Sequence, residues 1–284
     1  MFHKLIAGLK ANEPVKGRTV LGDVVCHFDI FNYQLPLVVT FSAAGAPISL
    51  ADVAACQPWG INFVRQQNCN VISFACIDED NWYRSPKFIT YVRGLGQALK
   101  ASSFTQKLGY GGSMGGYAVG AFANILGLDR VLLLNPISTL NKTLAPWERR
   151  FKQAAELDWD GAFYDGAACQ CRGYVVFDPL LSNDYKHAQR YFNLQQLRVP
   201  GVGHAIGVPL NHFRVLKRLF LLFVKDRVDH PWFYNAVRQR RNYEGYYNWL
   251  LSDANAHLTP KRKAVIEIHR NINFPTHSHE PSDQ

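Results

Sequence analysis

The sequence predicts an α/β protein built on a doubly wound, mostly parallel sheet, and three observations predict it. Apolar, β-branched runs recur along the chain and stay apolar throughout instead of alternating, as strands covered on both faces do. Segments with helical spacing lie between them, as parallel neighbours require. The chain has 284 residues, 48% hydrophobic and 19% charged, enough to fill one large core.

Taken in order, "GRTVLGDVVCHFDIF" reads as one long strand or two hairpinned ones. "LPLVVTFSAAG" is a strand that ends in small residues, and "NCNVISFACID" is the next. In "SPKFITYVRGLGQALKASS", Ser85 caps a helix, Pro86 opens it and apolar residues follow at helical spacing. "QKLGYGG" is a short buried strand, and "MGGYAVGAFANILG" a helix of small residues ending at Gly127. "DRVLLLNP", "RGYVVFDP" and "LQQLRV" are further strands; "NDYKHAQRYFN" and "PLNHFRVLKRLFLLFVKD" are helices. Residues 137–170 show no clear strand and are expected to form a small cap or excursion over the sheet edge. Residues 1–228 then make the main domain. After Asp229 the chain turns aromatic, basic and helical in period, an expected helical extension over 229–272. Residues 273–284, polar with two prolines, are expected to be a disordered tail.

The formal net charge is +9, and seven Lys/Arg with no Asp or Glu fall between Tyr185 and Lys225. Such a face suits nucleic acid, anionic lipid or an acidic glycan, but no nucleic-acid motif accompanies it, so a solvated basic surface is expected. The N-terminus lacks a signal-type apolar run, and "LFLLFV" falls far short of the roughly 18 apolar residues that span a bilayer. The six cysteines read as reduced thiols of a cytoplasmic protein. Cys169 and Cys171 have no second Cys/His pair at metal spacing, so neither a metal nor a cofactor is expected.

The chemistry-bearing stretch is "LGYGGSMGGYAVGAFA", Leu108 to Ala123. Gly111-Gly112-Ser113-Met114-Gly115 is G-x-S-x-G, set between a strand and a helix. A serine on so sharp a turn is held in a sparsely allowed conformation with its hydroxyl clear of the sheet. A hydroxyl near neutral pH needs a base. His204, in "VPGVGHAIGVPL", follows a strand and a Gly-x-Gly turn, so its loop lets the imidazole reach back over the sheet. His187 and His212 fall within helices and His277 and His279 in the tail, and these read as packing or surface residues. The base needs a carboxylate to hold its tautomer. Asp178 ends a strand and Asp184 starts a helix. Either gives the chain order Ser, Asp, His, and the strand end argues for Asp178. Donors for a developing oxyanion would be the N–H of Met114 and one from the loop after "VVTFS", Ala44 first and Ala43 next.

With these residues in view, the chain resembles the α/β-hydrolase superfamily over roughly residues 18–226. "GYGGSMGGYA" followed by "LLLNPIS" is similar to bacterial, esterase-like members that accompany surface-glycan pathways, some of them acyl transferases. The resemblance implies a Ser-His-Asp machine for ester hydrolysis or acyl transfer, acting on a small-molecule or glycan ester. The loop after "VVTFS" departs from the family in lacking its His-Gly pair, and the acid loop lacks the usual Gly-x-x-Asp. Only 91 positions separate Ser113 from His204, which leaves little room for a large lid. Trp147, Trp159 and Phe163 would either line the rim of an open site or pack in the core.

Overall fold

A computed structural model describes residues 1–45, 47–252 and 258–275. Its centre is one eight-stranded sheet of order β1-β2-β4-β3-β5-β6-β7-β8. The strands are β1 (Val15–Val20), β2 (Val24–Ile30), β3 (Leu37–Phe41), β4 (Asn70–Cys76), β5 (Lys107–Gly112), β6 (Arg130–Leu134), β7 (Arg172–Phe177) and β8 (Gln195–Arg198). The first run is thus a hairpin. β1 and β2 pair antiparallel, β2 pairs antiparallel with β4, and every other pairing is parallel.

Why the central strands read as largely apolar runs is plain from their burial. Every residue of β2, β3, β4 and β6 is buried, because helices cover both faces. One layer holds Leu5 and Leu9 of α1 (Phe2–Ala11), Phe88, Val92, Leu95 and Leu99 of α3 (Pro86–Ala101) and most of α4 (Met114–Leu126). The other holds residues of α2 (Ile61–Arg65), α6 (Gly207–His212), α7 (Leu216–Val224) and α8 (His230–Ala236). In α3 the Ser85 hydroxyl accepts the Phe88 N–H at 3.2 Å and Pro86 occupies the first turn. Its four large apolar side chains, at helical spacing and each about 1.5–3 kcal/mol when fully buried, fix which face meets the sheet.

Among the elements that differ from the sequence reading are α1 and the segment 209–226. α1 was not anticipated; its Leu5 and Leu9 share one face, and it stops at Asn12 in the left-handed conformation. The segment 209–226 is two helices, not one. The Val215 N–H returns to the Leu210 carbonyl and Arg214 takes φ 59°, which turns the chain so that Leu210, Phe213, Val215 and Leu219 all reach the core. Residues 137–170 contain only the short 3-10 turns Ala154–Glu156 and Gly166–Ala168.

The C-terminal part is helical: α8, a 3-10 turn over Val237–Asn242, α9 (Glu244–Leu251) and α10 (Pro260–Asn273), which packs on α9. Most of the anticipated tail, residues 276–284, lies outside the described residues. α5 (Ser182–Arg190) follows β7 directly. The loops after β3, β5, β6, β7 and β8 all emerge at the carboxyl edge of the parallel strands, where α/β sheets collect their functional groups. Among the described residues no helix is long and apolar enough to cross a membrane.

Candidate active site

Ser113 is the single residue between β5 and α4, with φ 52° and ψ −120°. A non-glycine residue there is strained by roughly 1–3 kcal/mol, and the surroundings hold it. Its N–H donates to the Leu134 carbonyl at 3.0 Å, and its own carbonyl accepts the N–H groups of Tyr117 at 3.0 Å and Ile137 at 3.2 Å. Gly115 is required by close approach: a Cβ on it would lie 2.1 Å from the Phe41 carbonyl oxygen. That contact brings the start of α4 against the end of β3 and Ser42, where the loop after β3 begins.

His204 lies in the loop between β8 and α6, and its side chain is 32% exposed. Its Nε2 is 2.8 Å from Ser113 Oγ, and its Nδ1 is 2.7 Å from Asp184 Oδ2. The Asp184 side chain is wholly buried in the first turn of α5. A carboxylate accepts, so Nδ1 carries the proton. Nε2 is then the lone pair that faces the serine hydroxyl.

Of the two alternative aspartates, the structure therefore brings Asp184 to the imidazole. Asp178, which the strand end favoured, does different work. Its Oδ1 accepts the N–H groups of Leu180 at 2.9 Å and Gly201 at 3.0 Å. Its Oδ2 accepts those of Val202 and Gly203, both at 2.8 Å. Three of these four N–H groups belong to the histidine loop and the fourth to Leu180, so both carboxylate oxygens are taken by backbone donors. Burial pushes this carboxyl above its usual range while the four N–H groups pull the other way. The strand end does fix Asp178 firmly, but it aims the side chain into the base of the loop; one helical turn further on, Asp184 has the reach.

The same loop is held from two more sides. Asn135, at φ 42° just past β6, donates from Nδ2 to the carbonyls of Gly203 at 3.1 Å and His204 at 2.7 Å, and accepts the Asp178 N–H at 3.1 Å. From the C-terminal extension, α9 covers Gly201 and Gly203, the latter at φ 77°. A Cβ on Gly201 would meet Tyr246 Cε2 at 2.6 Å, and one on Gly203 would meet the Trp249 ring at 3.1 Å.

Met114 is the first residue of α4, so its N–H has no acceptor within the helix. Among the described residues, neither Ala43 nor Ala44 donates its N–H to a protein acceptor. Their loop is pinned on both sides. Tyr83 Oη donates to the Ser42 carbonyl at 3.0 Å, Ser42 Oγ accepts the Trp59 N–H at 2.9 Å and Asp80 Oδ2 accepts the Gly45 N–H at 2.6 Å. Beside Ala44 opens a cleft of about 630 Å³, lined also by Asp80, Asn81, Trp82, Arg150 and Phe151. Trp159, one of the rim candidates, is a core residue packed edge-on to Trp82 and tilted against Tyr117, and Phe163 packs on Phe122.

A second set of charges adjoins Asp184. Arg150 Nη1 donates to Asp184 Oδ1 at 2.7 Å, while its Nη2 and Nε reach Glu148 Oε2 at 2.6 and 3.0 Å. Glu148 Oε2 is also 2.9 Å from Nε2 of His187, whose Nδ1 accepts the Ser138 N–H at 3.1 Å. Hydrogen bonds from His187 and Arg150 outweigh burial and hold the Glu148 carboxyl down at about 2. Burial pulls the His187 imidazole below its ordinary value. Asn135 falls in "LLLNPIS", whereas Glu148, Arg150 and His187 carry no motif. Glu148 and Arg150 lie in "WERRF", which the fold closes onto Asp184 and His187 of α5.

No family model matches the chain, and no curated protein matches it in sequence. Its structure is similar to that of a hormone-sensitive lipase from a metagenome library, at 15% identity, a TM-score of 0.51 and coverage of 79% of this chain and 92% of that one. The chain has the α/β-hydrolase fold. Two weaker likenesses are a capsule O-acetyltransferase of Neisseria meningitidis serogroup A and a fluorophosphonate-binding serine hydrolase of Staphylococcus aureus. The first is 14% identical with a TM-score of 0.49, covering 75% of this chain and 99% of that one. The second is 12% identical with a TM-score of 0.47, covering 74% and 97%. In this α/β-hydrolase sheet, Ser113, Asp184 and His204 sit after the fifth, seventh and eighth strands.

Proposed function

We propose that this chain is a serine hydrolase of esterase type, with Ser113 as nucleophile, His204 as base and Asp184 as the carboxylate that orients it. The observation that carries the reading is the unbroken run from Ser113 Oγ through His204 to Asp184, at 2.8 and 2.7 Å, starting from a serine held at positive φ.

The steps follow from that geometry. His204 Nε2 takes the hydroxyl proton as Oγ bonds to the ester carbonyl carbon. The carbonyl oxygen becomes an oxyanion, which the N–H groups of Met114 and Ala44 or Ala43 stabilise; losing one such donor costs about 3–4 kcal/mol. The imidazolium returns its proton to the departing alcohol and leaves an acyl-serine. Water then repeats the sequence with His204 again as base, releasing the acid. In this reading residues 1–228 form the catalytic domain and 137–170 a small cap that also supplies Arg150 and Glu148 to Asp184. The segment 229–272 is an extension whose α9 steadies the histidine loop.

A fluorophosphonate probe tests it. Wild type should be labelled and Ser113→Ala should not; labelling that persists in the variant removes Ser113 as nucleophile. Acyl transfer to a glycan-type hydroxyl is the second reading. The acid-free basic stretch from Tyr185 to Lys225, which contains His204 itself, favours it. Faster donor consumption and an acylated product when a sugar acceptor is added would select transfer over hydrolysis. Inertness towards both the probe and a panel of activated esters would leave a binding protein.

A further inference from the structure

Arg150 poses a physical problem. A guanidinium placed directly on the carboxylate that orients the base cancels the negative charge needed when that base becomes an imidazolium. The structure contains the answer on the far side of the same guanidinium. Glu148 accepts Nε and Nη2 of Arg150 and the Arg150 backbone N–H at 2.8 Å, and its side chain is only 1% exposed.

The proton positions around it are determined by the donors. The Ser138 backbone N–H points at His187 Nδ1, so that nitrogen is the acceptor and Nε2 holds the ring's proton. That proton goes to Glu148 Oε2, so His187 is a neutral donor and Glu148 an anion. Counted from the imidazole of His204 outward, the charges are then minus on Asp184, plus on Arg150, minus on Glu148 and none on His187.

We infer that Arg150 and Glu148 form a charge-balanced clamp on Asp184. Arg150 orients the carboxylate by holding Oδ1 while Oδ2 faces His204, and Glu148 restores the negative charge that Arg150 removes. They are positioning residues; neither meets the reacting bond in this role. Three other charged groups near the clamp are engaged elsewhere. Asp178 is taken up by the loop backbone, and Arg190 by Asp165 and Ser138. Lys186 lies over the Trp147 ring.

The inference rests on His204 being the base of the proposed reaction, and it makes a claim about sign that a purely structural role does not. Glu148→Gln leaves a net neutral pair behind the imidazole, so protonating the ring becomes harder. Arg150→Met leaves two uncompensated anions, so it becomes easier. Two assays read this. The first is the acid limb of kcat/KM against pH with p-nitrophenyl acetate. It should move down by about half a pH unit to one unit in Glu148→Gln and up by a similar amount in Arg150→Met. The second needs no turnover: ¹⁵N-edited NMR titration of the His204 ring in the Ser113→Ala background, with the same two substitutions added. The same opposite displacements are expected. Arg150→Lys keeps the charge but loses the fork; it should reduce kcat while leaving the limb and the titration in place.

Displacement of both variants in one direction, or titrations that coincide with the parent's, overturn the clamp. If Glu148→Gln does not fold, the comparison of Arg150→Met with Arg150→Lys still decides, because only the first changes charge. Fluorophosphonate labelling of wild type separates the two levels of failure. No labelling rejects the catalytic reading, whereas labelling with unmoved titrations rejects the clamp alone.

Discussion

Asp178→Asn is the most informative single substitution, because it separates holding the histidine loop from holding the histidine. The carboxylate of Asp178 accepts four backbone N–H groups, two on each oxygen, and three of them belong to Gly201, Val202 and Gly203. An asparagine keeps one acceptor oxygen and puts an NH₂ where the other was. Whichever way the amide turns, two N–H groups then face a donor. Each buried donor left unpaired costs about 1–3 kcal/mol. Some relaxation towards water keeps each near the lower half of that range, so the loss is about 3 kcal/mol. For a domain of this size that lowers Tm by roughly 6 °C or more. His204 follows one residue later, and misplacement by about an ångström costs on the order of 100-fold in rate. The assay pairs thermal unfolding with amide hydrogen exchange across residues 199–206. Asp178→Asn should lower Tm and open exchange at Gly201 to Gly203. Asp184→Asn should leave those three amides protected while kcat falls by about 10⁴-fold through the wrong imidazole tautomer. Wild-type Tm and protected loop amides in Asp178→Asn would refute the reasoning.

Three further outcomes follow from the same structure. Glu148 has its carboxyl held down at about 2; a lowered folded value means a contribution that is complete above the ordinary 4.5 and lost as pH falls towards 2. Acid titration of wild type should therefore show a loss of stability between about pH 4.5 and 2 that Glu148→Gln flattens, read by denaturant midpoints at each pH. Gly115→Ala puts a methyl 2.1 Å from the Phe41 carbonyl oxygen; neither backbone can yield without moving β3 or α4, so the variant should lose several kcal/mol of stability, about 3 or more, together with fluorophosphonate labelling. Trp249→Ala removes the ring that packs on Gly203; kcat should drop by about tenfold with KM little changed, and an unaltered kcat would show that α9 does not steady the loop.

How far the sequence could be read depended on whether a feature was local. β3, β4, β6 and β7 were legible because strands covered on both faces must be apolar along their length, and α3 because Ser85, Pro86 and its apolar spacing agree. The break between α6 and α7 was not, since "NHFRVLKR" satisfies helical periodicity and only the packing of Phe213 and Val215 shows that the chain must turn at Arg214. Ser113 stood out because its strain demands glycines around it, and strain of that kind is written in neighbouring residues. His204 stood out for a related reason, a flexible Gly-x-Gly turn after a strand.

The carboxylates show where local reading ends. Asp178 and Asp184 are six residues apart and both follow β7; choosing between them by proximity to the strand assumes that the carboxyl nearest the sheet is the one that reaches the imidazole. The backbone reverses that assumption. A loop that projects a histidine back over the sheet leaves its own N–H groups pointing at its base, and the strand-end carboxylate is what stands there to receive them. Once Asp178 is committed to three successive amides it has no acceptor left for an imidazole proton, and the partner must come from the next element, where Asp184 projects from the first turn of α5. Arg150 and Glu148 come from a segment without regular structure and touch α5 only in the folded chain. Their roles belong to the tertiary fold, and a substitution in that irregular segment should therefore reach the site as surely as one in the serine turn.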